Sequence, residues 1–270
     1  MSLLSWNCRG LAKPHTVRFL KEIVRQLRPG LIFLSETLVH KNKVEEVCKK
    51  IDYVGYRSVD VNGDSGGLAL FWKNEGSVQT MGSDHHYIDF EVENNQIGRW
   101  HYTGFYGCPE RHRRRESWEV LRGLSNTSML PWCNLGDFND LISIDEKSGG
   151  NQHSRSLIEG FVQTVDDCGL LDLGFEGEKF TWERCHGKYN WVQERLDRGL
   201  ANRSWCELFP FAVVKVLEVS TSDHLPLFLQ LNKQVFVPRV NHFKFENIWL
   251  KESEFINLVK MLGRVLLAKI

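Results

Sequence analysis

Strand-length apolar runs and amphipathic helical stripes are interspersed through residues 1–232 without strict strand–helix–strand alternation, and this mixture constrains the fold most. It favours two sheets packed face to face with helices outside them. Leu3-Leu4-Ser5-Trp6-Asn7 reads as a strand, and Pro14 opens a helix with Val17, Leu20, Val24 and Leu27 on one face. Pro29-Gly30 stops it. A strand over Leu31 to Leu34 runs into Ser35-Glu36-Thr37, and a helical stripe follows at Val44, Val47, Cys48 and Ile51. From about residue 53 to residue 106 the pattern becomes an antiparallel meander, with breakpoints at Asn62-Gly63, Gly66-Gly67 and Asn94-Asn95. Helical spacing returns at Trp118, Leu121 and Leu124, a strand spans Trp132 to Leu135, and Leu157, Phe161, Val165 and Cys168 mark another helix. The last strand alternates Leu225, Leu227, Leu229 and Leu231.

No Ser/Gly linker or repeat divides residues 1–232, so one domain is expected there. Residues 233–270 read as an appendage: Val237-Pro238 breaks the strand, and Phe243-Lys244-Phe245-Glu246-Asn247-Ile248-Trp249 leads into a stripe at Phe255, Leu258, Val259, Leu262 and Leu266. With 42% hydrophobic and 25% charged residues the chain is globular in composition. No apolar run approaches the roughly 20 residues that cross a bilayer, and no charged segment with a cleavage site precedes the first strand. An intracellular protein without a membrane partner is expected. Seven scattered cysteines without a Cys-x-x-Cys pair suggest reduced thiols rather than disulfides or zinc. Net charge is zero, so contact with a polyanion has to come from local patches.

Polar residues able to do chemistry recur where apolar strands end: Asn7, Glu36, Asp137 and Asn139, with Asp223 and His224 just before the final strand. Each has an ordinary structural use, as a turn residue or a cap. As a set they are the parts for hydrolysing a phosphoester with a hard metal ion. A phosphodiester repels anionic nucleophiles, so a cation has to neutralise its oxygens while a base prepares water for in-line attack. Glu36 is the first candidate ligand for magnesium and Asp223 the second, because hard cations prefer oxygen donors. His224 suits acid/base work near neutral pH, with Asp197 a candidate partner fixing its tautomer. The alternative for Glu194-Arg195-Leu196-Asp197-Arg198 is a surface salt-bridge cluster. Asn7 and Asn139 can position water, phosphate or the metal shell without adding charge.

These residues resemble the exonuclease/endonuclease/phosphatase superfamily, and more narrowly the apurinic-endonuclease-like domain of plant LINE-type (non-LTR) retrotransposons. The matching pieces are Trp6-Asn7-Cys8-Arg9-Gly10, Ser35-Glu36-Thr37, Gly66-Gly67-Leu68-Ala69, Phe105-Tyr106-Gly107, Gly136-Asp137-Phe138-Asn139, Phe180-Thr181-Trp182, Arg195-Leu196-Asp197-Arg198 and Ser222-Asp223-His224-Leu225-Pro226. The resemblance implies a four-layered α/β sandwich, with two central, mostly antiparallel sheets and helices outside. It implies Glu36 as metal ligand, with Asp223 and Asn7 close to the metal, and Tyr106 touching the scissile phosphate. Asp137 and Asn139 would hold the nucleophilic water and Asp197 would orient His224; whether Asp137 or His224 is the base stays open.

The implied activity is DNA nicking with magnesium, or manganese, leaving a 3′-hydroxyl, with no small-molecule cofactor. DNA as substrate implies the nucleus. The tail resembles a truncated link toward a missing reverse transcriptase, through which element RNA would be a partner. One departure matters: repair enzymes of the superfamily carry an acidic residue two positions after the asparagine, where this chain has Arg9. A second metal and abasic-site repair are therefore not expected. Arg111-His112-Arg113-Arg114-Arg115 is the densest basic run, and Arg111 and Arg113 are candidate contacts to DNA phosphates, against the alternative of a solvated helix start. The rival functions are a phosphatase of another branch of the superfamily and an inactive retroelement remnant that binds nucleic acid or acts as an interaction domain.

Overall fold

The computed structural model describes residues 1–61, 66–74, 78–94 and 98–231. The breakpoints at Asn62-Gly63 and Asn95, and the tail with its Phe243–Trp249 segment and Phe255–Leu266 stripe, lie outside the described residues.

The chain begins with β1 (Ser2–Asn7), α1 (Pro14–Leu27), β2 (Leu31–Ser35), α2 (Lys41–Lys50), β3 (Gly55–Val59) and β4 (Leu68–Trp72). The expected meander follows as β5 (Val78–Asp84), β6 (Tyr87–Asn94) and β7 (Gly98–Tyr106), then α3 (Arg114–Ser125) and β8 (Trp132–Asp137). Next come β9 (Lys147–Ser148), α4 (Arg155–Asp167), β10 (Leu170–Asp172), β11 (Trp182–Arg184), β12 (Val192–Glu194) and β13 (Asp197–Asn202). The described chain closes with α5 (Arg203–Leu208), β14 (Val213–Val216) and β15 (Leu227–Gln230).

One six-stranded sheet has the order β14-β15-β1-β2-β4-β3 and the other β10-β13-β8-β7-β6-β5; β11, β12 and β9 form a small third sheet. Neighbours are antiparallel except β1 with β2 and β7 with β8, which run parallel. The inner strands of both large sheets are buried on both faces, and their sequences show why. Side chains alternate across a strand, and both sets are apolar here. Leu31 and Phe33 of β2 join Leu68 and Leu70 of β4 and Trp100 and Tyr102 of β7 in the core between the sheets. Ile32, Leu34, Ala69 and Phe71 face instead Leu20 and Ile23 of α1 and Val44 and Val47 of α2. On the far side Phe105 and Trp132 pack with Trp118 and Leu121 of α3 and Phe161 and Val165 of α4. The result is the four-layered α/β sandwich.

Helix α1 ends as the sequence predicts, for a specific reason. Arg28 precedes Pro29, is thereby disfavoured in the α region, and adopts φ 48°, its N–H closing on Val24 O at 3.0 Å. The final strand differs in extent from the expected Leu225–Leu231 alternation. It is shorter, and Phe228 is as buried as Leu227 and Leu229 because the α1 and α2 side of the sheet covers it. All seven cysteines are free, five of them buried. No helix among the described residues is long and apolar enough to cross a membrane.

Candidate active site

Strand register gathers the site. In the first sheet β1 and β2 run parallel with Asn7 opposite Ser35, so Glu36, one residue on, leaves the sheet at the same end as Asn7. In the second, Tyr106 of β7 lies opposite Asp137 of β8, and Asp137 lies opposite Asp197 of β13. The two rows meet at one mouth of the sandwich. Glycines permit the close approach: a Cβ on Gly107 would fall 2.0 Å from Phe138 O, and one on Gly136 would fall 1.9 Å from Phe105 O. Glu36 (φ 49°), Asn139 (φ 55°) and Arg9 (φ 42°) are held in left-handed backbone, which costs about 1–3 kcal/mol each and clusters at this mouth.

The side chains converge. Asn7 Nδ2 donates to Glu36 Oε1 at 3.0 Å and to Asp137 Oδ2 at 2.9 Å, and lies 3.4 Å from His224 Nε2. His224 Nδ1 meets Asp197 Oδ2 at 2.8 Å, while its Nε2 faces Asp137 Oδ2 at 3.7 Å. Tyr106 OH donates to Glu36 Oε1 at 2.9 Å. Asn139 donates its backbone N–H to Asp137 Oδ1 at 2.9 Å and its side-chain amide to Gly107 O at 3.0 Å, which fixes the β8 turn. Asp223 accepts from Trp182 Nε1 at 2.9 Å and pairs with Arg9, whose Nε is 3.2 Å from Glu36 Oε2. A cavity of about 560 Å³ opens beside these groups, lined by Arg9, Glu36, Tyr106 and Asp223.

Electrostatics divide the site in two. Asp137, Asp197 and His224 are buried. Burial alone would lower the His224 pKa, but the Asp197 and Asp137 carboxylates outweigh it and raise it to about 9. Burial raises Asp137 to about 7, against the pull of the imidazolium. Burial, with Glu36 and Asp137 nearby, holds the Tyr106 phenol far above its ordinary range, so it stays a donor. Glu36 and Asp223 instead border the open cavity.

Two sets of donors could hold a cation. Asp137, Asp197 and His224 each offer an atom within 4.8 Å of the others, but a protonated imidazole among them repels a metal. Glu36 and Asp223, with the buried Asn7 Oδ1 that has no hydrogen-bond partner among the described residues, fit a hard oxygen-seeking ion better.

The structure thus brings Asn7, Glu36, Tyr106, Asp137, Asn139, Asp197, Asp223 and His224 to one mouth. Arg111 and Arg113 stay outside this network: they form a 3-10 turn, and Arg113 is engaged by Glu116 at 2.8 Å. The basic run is not one solvated face, because Arg114 is buried against Asp140 and His153, at 3.1 Å from each. Nor is Arg195–Arg198 a surface cluster. Arg198 is fully buried and, with Arg195, binds Glu146 and Asp172, locking β13 in place.

Thr181 is the residue whose role the sequence reading missed. Its Oγ1 accepts from Leu196 N at 3.0 Å and Asp197 N at 2.9 Å, while its carbonyl accepts from Leu225 N at 2.7 Å. One buried threonine therefore clasps the Asp197 strand to the His224 segment, and only its place in the Phe180-Thr181-Trp182 match signalled it. Thr181→Val should leave two buried N–H groups unpaired and cost about 1–3 kcal/mol in denaturant unfolding.

Solved structures with this fold include the endonuclease domain of TRAS1, a telomere-specific non-LTR retrotransposon, at 13% identity and TM-score 0.62 over 86% of this chain and 99% of that one. The AP endonuclease LMAP from Leishmania major is 14% identical, with TM-score 0.64 over 84% of this chain and 86% of its own. The 3′-5′ exonuclease NExo from Neisseria meningitidis is 18% identical, with TM-score 0.62 over 86% of this chain and 100% of its own. No curated protein matches the sequence. The profile of the Endonuclease/Exonuclease/phosphatase family matches residues 4–224, a span that holds every residue of the site just described, and the chain belongs to that family.

Proposed function

We propose that the chain is a divalent-metal-dependent phosphodiester hydrolase that nicks DNA as the endonuclease of a non-LTR retrotransposon, leaving a 3′-hydroxyl. The observation that carries this reading is the arrangement at the mouth: a buried Asp197–His224–Asp137 chain beside Glu36 and Asp223 on an open cavity. Glu36, Asp223 and Asn7 would hold magnesium, or manganese in its place. When bound, the cation neutralises phosphoryl oxygens and so admits an anionic nucleophile.

The protein's own groups supply the rest. Asp137, whose proton affinity lies near neutrality, takes the proton of the attacking water. His224, held as imidazolium by Asp197, faces the charge that develops on the phosphoryl oxygens. Tyr106 OH, which donates to Glu36 Oε1 in the resting site, would turn its proton to the same phosphate, and Asn139 fixes the Asp137 carboxylate through its backbone N–H. Arg111 and Arg113 hold backbone phosphates of the DNA beside the cut. DNA as substrate puts the working protein in the nucleus, and the likeness to the TRAS1 endonuclease domain supports the retrotransposon assignment.

Supercoiled plasmid is the test. Nicked circles should form with magnesium, and not with EDTA or with Asp223→Ala; polymerase should extend the nicks directly. Absence of nicking under any divalent metal would favour a nucleic-acid-binding remnant. Turnover of inositol phosphates without DNA cleavage would favour another branch of the family.

A further inference from the structure

Arg9 carries charge of the wrong sign for a metal site, yet it sits between the carboxylates that would hold the metal. Its Nε is 3.2 Å from Glu36 Oε2 and its Nη1 pairs with Asp223 Oδ2. A guanidinium is a planar fork of N–H donors and can span two carboxylates at once. Without such a cation, Glu36 and Asp223 would repel each other across the cavity. The backbone under Arg9 is pinned: Cys8 N donates to Ser35 O at 3.0 Å, Gly10 N to Glu36 O at 2.9 Å, and Leu11 N to Thr37 O at 2.7 Å. The Arg9 side chain, by contrast, is 52% exposed, against 17% for Glu36 and 24% for Asp223. Only the guanidinium is free to swing.

We propose that Arg9 is an internal counter-ion that stands in for the divalent cation between Glu36 and Asp223, is displaced when the cation binds, and then turns into the adjoining cavity to hold a substrate phosphate. This rests on Glu36 and Asp223 being the metal ligands. A metal ion and a guanidinium compete for the same carboxylates, since each is drawn by their negative charge and repelled by the other. The freed group has a destination, because Arg9 and Lys13 line the same cavity as Tyr106 and together form a cationic rim suited to a phosphodiester. Displacement couples the two ligands. Metal releases Arg9 for phosphate, and phosphate that keeps Arg9 away tightens the metal by the same factor.

Isothermal titration of the full chain with manganese, without DNA, tests the first half. Arg9→Met should bind manganese about tenfold more tightly than wild type, with Arg9→Lys between, and should melt at a lower temperature in EDTA. A side chain with a merely structural role would give the opposite sign, weaker metal binding on its loss. Equal or weaker binding by Arg9→Met, while Glu36→Gln abolishes the heat, overturns the counter-ion and leaves the ligand assignment standing. Undiminished binding by Glu36→Gln overturns the ligand assignment and the counter-ion with it. Fluorescence anisotropy on a phosphorothioate duplex tests the second half: manganese should raise DNA affinity less in Arg9→Met than in wild type, by about tenfold. An undiminished gain would refute the phosphate contact.

Discussion

His224→Gln is expected to slow magnesium-dependent plasmid nicking by about three orders of magnitude, within the range of 10²–10⁴ that positioned proton-transfer groups contribute. The loss should fall on kcat rather than KM, because the imidazolium faces charge that exists only as the phosphoryl group is transferred. In EDTA the same residue ties stability to pH. Burial disfavours the charged ring, but Asp197 and Asp137 outweigh this and raise its pKa to about 9 from 6.5. A folded state that holds a proton more tightly than the unfolded chain gains stability in full below pH 6.5, and loses that gain as pH rises through 9. The metal-free melting temperature should therefore fall across that window. Asp197→Asn preserves the shape but removes the largest source of the raised pKa, and should flatten the fall. An unchanged slope in Asp197→Asn would show that the pair at 2.8 Å does not govern the proton.

Glu36→Gln should abolish measurable manganese binding and lower nicking by about 10³ or more, since Lewis-acid stabilisation is worth several kcal/mol. The substitution is narrow. Glu36 Oε1 accepts from Asn7 Nδ2 and Tyr106 OH, and the glutamine carbonyl can accept both bonds; besides the charge, only the pair between Oε2 and the half-exposed Arg9 is lost, worth about 0–1 kcal/mol. Melting in EDTA should accordingly change little, while the stabilisation that manganese confers on wild type disappears. Nicking within tenfold of wild type would mean that Glu36 is not the ligand.

Much of this site is legible in the sequence because its residues sit where apolar strands end, and strand ends are what a β-rich scaffold presents. Asn7, Glu36 and Asp137 each close or follow a run of apolar residues, and the parallel β1–β2 and β7–β8 pairs carry these ends to one mouth. What stays hidden depends on partners far along the chain. Nothing local marks Thr181 as the acceptor for Asp197 N, or marks Arg195 and Arg198 as buried, because the carboxylates that take them inside, Glu146 and Asp172, are distant in sequence. The short strands β9, β11 and β12 escape for a related reason: two or three residues carry no readable period, and pairing with neighbours alone defines them. The basic run shows the same limit. Arg114 looks like its neighbours but turns inward to Asp140, which lies in the loop just after β8.

The proposed division of labour at the mouth, with the cation on Glu36 and Asp223 and proton transfer left to Asp137 and His224, is tested most directly by anomalous diffraction from crystals soaked in manganese. The predicted result is one peak bound by Glu36 and Asp223, with the Arg9 guanidinium turned away from both carboxylates. A peak enclosed instead by Asp137, Asp197 and His224, with Arg9 still on Glu36, would contradict it.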